Sequence, residues 1–196
     1  MMTWRALNFF PADFRGKALP TEGSQVAVSV AYLQSGKFVD LSNLLIRWYV
    51  DGTFVTRGTG LTEYVFKTTK QNGEMHVVRV SIEFAGGGRY ESSVVVPVND
   101  RRLVLRGVGP QALAPDTDTT VEAFPYFFNV ISLADLTFFW TVNGARTAGV
   151  NGNAITITIP HANATAGGAL DVSVVAQGKR DLIEYGTGKT SGRIAQ

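Results

Sequence analysis

The feature that most limits what this chain can fold into is a sentence written twice. "LIRWYVDGTFVTRGTG" (45–60) returns as "LTFFWTVNGARTAGVNG" (136–152). Trp48 and Trp140 stand 92 positions apart. At the same spacing Leu41 answers Leu133, Leu44 answers Leu136, Val50 answers Val142 and Gly52 answers Gly144. One residue then drops out, so that Gly58 meets Gly149, Tyr64 meets Ile155 and Phe66 meets Ile157. The spacing of 92 returns further on, setting Val78, Val80, Ile82 and Phe84 against Leu170, Val172, Val174 and Ala176. A repeat of this length marks two copies of one folding unit. The boundary falls in the polar stretch "PVNDRRL", which gives expected domains 1–99 and 100–196.

Within each copy the apolar period is two. Val26, Val28, Val30 and Tyr32 share one parity; so do Leu44, Ile46, Trp48 and Val50, and again Val78, Val80, Ile82 and Phe84. Side chains on a strand alternate between faces, so this pattern predicts half-buried antiparallel strands. "DG" at 51–52 and "NG" at 143–144 predict tight hairpins, because these residues tolerate positive φ. No segment keeps a helical period over three turns; "LSNL" and "LADL" have room for one turn each. Six or seven short strands in under 100 residues bury their apolar faces by packing two sheets together. The expected fold is therefore all-β, two tandem immunoglobulin-like antiparallel β-sandwiches, with Trp48 and Trp140 as core anchors.

Composition supports this and narrows the chemistry. Of 196 residues 45% are hydrophobic and 17% charged, enough apolar matter for a core. The net charge of +2 is scattered, and Arg101, Arg102 and Arg106 read as a solvated hinge, so no nucleic-acid partner is expected. With no cysteine there is no disulfide, thiol catalysis or cysteine-ligated zinc. No apolar run reaches the ~18 residues of a membrane span. The N-terminus lacks the pattern of a signal peptide, so an exported form is expected to be a mature or excised piece.

"WYVDG" and "WTVNG", each followed by a glycine-containing turn and alternating strands, resemble tandem immunoglobulin-like modules of bacterial cell-surface proteins. They are similar to the polycystic-kidney-disease-type (PKD-like) branch, whose usual strand reads Trp-x-Phe-Gly-Asp-Gly; here the phenylalanine and first glycine are replaced or missing. The opening "WRALNFFPADFRGKALP" resembles the leading strand of such repeats in large envelope proteins. The resemblance implies an extracellular spacer, adhesion or assembly role, with other envelope proteins or copies of itself as partners.

A search for reactive groups yields little. His76 and His161 occupy unmatched places in the repeat, the partner of His76 being Gly168. "GTGKTSG" (186–192) carries the letters GKT without the glycine spacing or the helix of a phosphate loop. No metal motif is visible, although Asp100, Asp116 and Asp118 on polar turns are candidate calcium ligands; no cofactor is otherwise expected. No catalytic residue is expected, and the chain reads as no enzyme. Asn163 in "NAT" reads as a chance triplet. Aromatic residues are the departure from the repeat. By parity Phe124, Tyr126 and Phe128 point outward, as does Phe139, where the first copy has Ala31 and Arg47 at the places of Phe124 and Phe139. Two outcomes fit: a contact surface for a partner, or local cover by a neighbouring segment. Phe9, Phe10 and Phe14 are expected to cap the first sandwich. The rival to a structural module is a carbohydrate-binding accessory module of a secreted protein, using Phe124, Tyr126 and Phe139 on a glycan.

Overall fold

The computed structural model describes residues 1–108, 113–150, 152–161 and 167–195; Asn163 lies outside them. The chain divides into two compact units. Unit 1 comprises Met1–Asn8 and Arg15–Asp100, and unit 2 comprises Phe9–Phe14 and Arg101–Gln196. The division falls one residue after the expected boundary, and the short segment Phe9–Phe14 goes with the second unit.

Unit 1 contains β1 (Met2–Ala6), β2 (Gln25–Val30), β3 (Leu33–Gln34), β4 (Lys37–Phe38), β5 (Leu45–Val50), β6 (Thr53–Thr59), β7 (Glu63–Lys67), β8 (Met75–Glu83) and β9 (Arg89–Pro97). They form a three-stranded sheet, β1-β2-β7, and a four-stranded sheet, β6-β5-β8-β9, with β3 and β4 as a separate hairpin. Unit 2 contains β10 (Arg102–Arg106), β11 (Asp118–Tyr126), β12 (Leu136–Val142), β13 (Ala145–Arg146), β14 (Ala154–Thr158), β15 (Ala169–Gly178) and β16 (Tyr185–Arg193). Its sheets are β10-β11-β14 and β13-β12-β15-β16, the same order. All strand pairings are antiparallel. Each unit is an immunoglobulin-like β-sandwich.

The inward parity supplies each core. In unit 1, Val26, Val28 and Phe66 of one sheet meet Ile46, Trp48, Val78, Val80 and Ile82 of the other. In unit 2, Val121, Ala123 and Ile155 meet Phe138, Trp140, Val172, Val174 and Ala176. Trp48 and Trp140 are fully buried. A buried indole N–H needs an acceptor. Trp48 donates to the Leu61 carbonyl and Trp140 to the Gly152 carbonyl, each at 2.9 Å, so the repeat extends to this tie. The hairpins form as expected, with positive φ at Asp51, Gly52, Asn143 and Gly144. "LADL" becomes a 3-10 turn, Leu133–Asp135, and in "LSNL" the Leu44 N–H closes a turn on the Leu41 carbonyl.

One sequence reading needs adjustment. Trp48 pairs with Val80, whereas Trp140 pairs with Val174. The structural spacing along this strand is therefore 94, not 92. The slip is two residues, so every side chain keeps its face. The register also makes Leu170 the counterpart of His76, in place of Gly168. The stretch "GTGKTSG", which lacked the helix of a phosphate loop, lies within β16, paired with β15 over nine residues. Its glycines answer a packing need: a Cβ on Gly186 would come within 2.7 Å of the Phe128 ring, and one on Gly188 within 2.8 Å of the Leu103 carbonyl.

Candidate contact surfaces

The aromatic departure of the second copy becomes a cluster within unit 2. Phe14 packs against Phe10, Tyr126 and Phe127, with ring centroids 5.5–5.7 Å apart. The Phe9 N–H donates to the Phe128 carbonyl, and the Phe127 N–H to the Phe9 carbonyl, both at 2.7 Å. The segment Phe9–Phe14 thus covers β11 of unit 2, where capping of the first sandwich was expected. Arg106 secures it. Its guanidinium lies 4.2 Å from the Phe124 ring centroid, pairs with Asp13 at 3.1 Å and reaches the Tyr126 hydroxyl at 3.3 Å. Bonding to Asp13, the largest influence, strengthens the hold of Arg106 on its proton. Arg106 is a half-exposed clamp on the aromatic row and not part of a hinge.

Phe124 and Tyr126 are consequently half-buried. Phe128 is fully buried, which corrects its expected place on an outward surface. The reason is local. Phe127 has φ +65, which breaks the alternation, and Phe127 and Phe128 both turn inward. Between the covering segment and β11 runs a groove of about 520 Å³, with Phe9, Phe10, Phe124 and Pro125 in its walls. Its carboxylates are engaged, Asp13 with Arg106 and Glu122 with Asn153 at 3.1 Å.

A second surface was not foreseen. The loop between β15 and β16 and the loop between β11 and β12 meet around Glu184, which is 3% exposed. Its carboxylate receives Arg101 Nε and Nη2 at 2.7 Å each, the Asn129 N–H at 2.7 Å and Asn129 Nδ2 at 3.0 Å. A buried carboxylate is tolerated when paired and saturated with donors in this way. The tie fixes two loops whose tips carry Ile131, Leu182 and Ile183, exposed by 91%, 67% and 78%. "RDLIEYG" held a signal, two adjacent aliphatics in a charged turn; nothing in the sequence marks Glu184 as buried.

The outward faces of the four-stranded sheets differ. In unit 1, Phe54, Met75, Val77 and Val95 are exposed, with Tyr49 beside Phe54 and Arg79 3.9 Å from the Tyr49 ring centroid. In unit 2 the face is built from Thr141, Ser173, Lys189, Gln177, Tyr185 and the exposed Val175 around Phe139, which is half-buried with Arg146 4.8 Å from its ring centroid.

The remaining predicted polar residues have local partners. Asp100 accepts from Asn72 at 2.6 Å. Asp116, with φ +54, accepts the His161 N–H at 2.9 Å, and Asp118 accepts from the Thr158 hydroxyl. Among the described residues no three His, Cys, Asp or Glu side chains gather as a metal site. His76 is buried; Nδ1 lies 2.7 Å from Asp51 and Nε2 accepts the Thr69 N–H at 3.3 Å, which assigns the ring proton to Nδ1. Partial burial alone would raise the Asp51 pKa. Bonds from the Val77 N–H, His76 and Lys70 outweigh it and hold the carboxyl below its ordinary value.

Strand order and cores place both units in the immunoglobulin-like and fibronectin-III-like class of sandwich modules. No protein-family model matches the chain, and no curated protein matches it significantly. Similar solved structures include the three N-terminal domains of the highly immunogenic outer capsid protein (Hoc) of bacteriophage RB49. That match is 15% identical with TM-score 0.49, over 98% of this chain and 58% of that one. Others are fibronectin(III)-like modules of Clostridium thermocellum CbhA (15% identity, TM-score 0.34, covering 100% and 95%) and a Bacteroides ovatus mixed-linkage glucan utilisation protein, SGBP-B, in complex with a heptasaccharide (14%, 0.27, 97% and 47%). The chain thus spans 58% of the Hoc chain and 47% of SGBP-B. Among the described residues no helix is long and apolar enough to cross a membrane.

Proposed function

We propose that this chain is a non-catalytic structural and adhesive module of a cell-surface or filament-type extracellular assembly, a spacer that also offers protein contact surfaces. The PKD-like relationship belongs to this proposal, on "WYVDG" and "WTVNG". The observation that carries the reading is the loop tip of unit 2. A saturated buried carboxylate holds two loops so that three large aliphatic side chains stand in water. Such side chains gain about 1.5–3 kcal/mol each when a partner buries them. Preorganised loops spend less of that gain on ordering.

The test is co-sedimentation of the labelled chain with envelope fragments from the organism that encodes it. The variant Ile131→Ser/Leu182→Ser/Ile183→Ser should keep the wild-type melting temperature and lose at least tenfold in bound fraction. Equal binding by both proteins refutes the tip as the contact. A second reading, glycan binding, draws on the hydroxyl- and amide-rich face around Phe139 and Tyr185. Affinity electrophoresis in neutral polysaccharide gels decides it: retardation abolished by Phe139→Ala favours the glycan module.

A further inference from the structure

We infer that the outward face of β6-β5-β8-β9 is the self-association face of this protein, taking a second copy of itself about a two-fold axis parallel to the strands. The inference deepens the contact role proposed above and rests on it, but uses a different surface. Phe54, Met75, Val77 and Val95 are between 42% and 52% exposed on this one face. β8 and β9 are nine residues long and the sheet is four strands wide. With β5 and β6 at six and seven residues, about 4.8 Å between strands and about 3.3 Å per residue give a face of about 500 Å² per copy. A pair buries about 1,000 Å², the size of a weak, reversible interface.

Charge decides in favour of a second copy. Across the sheet, one outward row reads Arg57, Arg47, Ser81, Glu91, and the next reads Phe54, Tyr49, Arg79, Ser93. Arg47 is paired with Glu83. Arg79 and Arg89 both bond Oε1 of Glu91, leaving Oε2 without a partner among the described residues. Arg57 has no ion pair among them. The positive row end and the half-used acid thus lie at opposite edges of one row. A two-fold axis between β5 and β8 exchanges β6 with β9 and β5 with β8. It sets Arg57 against Glu91 of the second copy, twice, and the Tyr49 ring against Arg79 of the second copy, twice. The contact is isologous, as closed dimers require.

Sedimentation velocity from 5 to 500 µM tests this. The wild type should associate reversibly with a Kd on the order of 100 µM, as suits an interface of this size. Arg57→Glu and Glu91→Arg should each be monomeric throughout, with cooperative melting transitions retained. An equimolar mixture of the two should recover the association, since both cross-contacts are then of opposite sign. The triple serine variant of the loop tip should associate like the wild type, which separates failure here from failure of the envelope contact. A monomeric wild type at 500 µM, undiminished association of Arg57→Glu, or a mixture that stays monomeric each overturns the inference.

Discussion

The two four-stranded sheets share strand order and inward residues, and they disagree on the side that faces water. In unit 1 that side is aromatic and aliphatic, with its charges gathered at one end. In unit 2 it is hydroxylated, with Phe139 shielded by Arg146. The inner face is fixed by the need to bury tryptophan and valine. The outer face carries no such demand, so the copies were free to diverge there. The edges differ as well. β6 runs for seven residues beside β5, with a bulge between Trp48 and Tyr49, whereas β13 has only two. A bulge and charged residues discourage open edge pairing. The face is therefore the better docking candidate in unit 1.

Removing the shared anchor should have the largest effect. Trp48→Ala and Trp140→Ala should each cost about 3–5 kcal/mol. Hydrogen exchange should show the loss in β8 amides for the first and in β15 amides for the second. If Trp48→Ala releases β15 as strongly as β8, the two units do not carry separate cores.

Glu184→Gln comes next. Removing one partner of a buried ion pair costs about 3 kcal/mol. The loss should appear in unit 2 alone, measured as a fall in its chemical denaturation midpoint. Gly188→Ala follows at about 1–3 kcal/mol, since the new methyl meets a backbone carbonyl on β10.

Acid gives the smallest and most selective contrast. Asp51 of unit 1 corresponds to Asn143 of unit 2, which cannot titrate. The folded-state pKa of Asp51 is lowered, so its contribution is present above the unfolded value of about 3.9 and lost as pH falls through the folded value. Below pH ~4 the wild type should lose more stability in unit 1 than Asp51→Asn does. Identical acid profiles for the two proteins would sink this assignment.

Much of the fold was legible in the sequence because burial writes itself with a period of two. The inward sets around Trp48 and Trp140, both hairpin turns and the turn at "LADL" all follow from local rules. What was not legible depended on contacts between distant parts of the chain. Phe128 sits on the outward parity by counting, but a positive φ at Phe127 turns it into the core. Phe9–Phe14 reads as the start of the first copy, yet its backbone pairs with Phe127 and Phe128. Glu184 looks like an ordinary turn acid until Arg101 and Asn129 are seen around it. The stretch after Lys189 is likewise not legible: it continues as the edge strand β16 to Arg193, and Ile194 bridges to Leu113.

The spacing of 94 in place of 92 has a broader consequence. A strand whose register shifts by an even number of residues presents the same chemistry to its core, so selection against the change is weak. An odd change within a strand inverts every side chain beyond it, and survives where a turn or bulge absorbs it, as with the residue lost between Gly144 and Gly149. Parity is then inherited more faithfully than length. Relatives of this chain too diverged for direct alignment should be recognisable by alternation around a buried tryptophan.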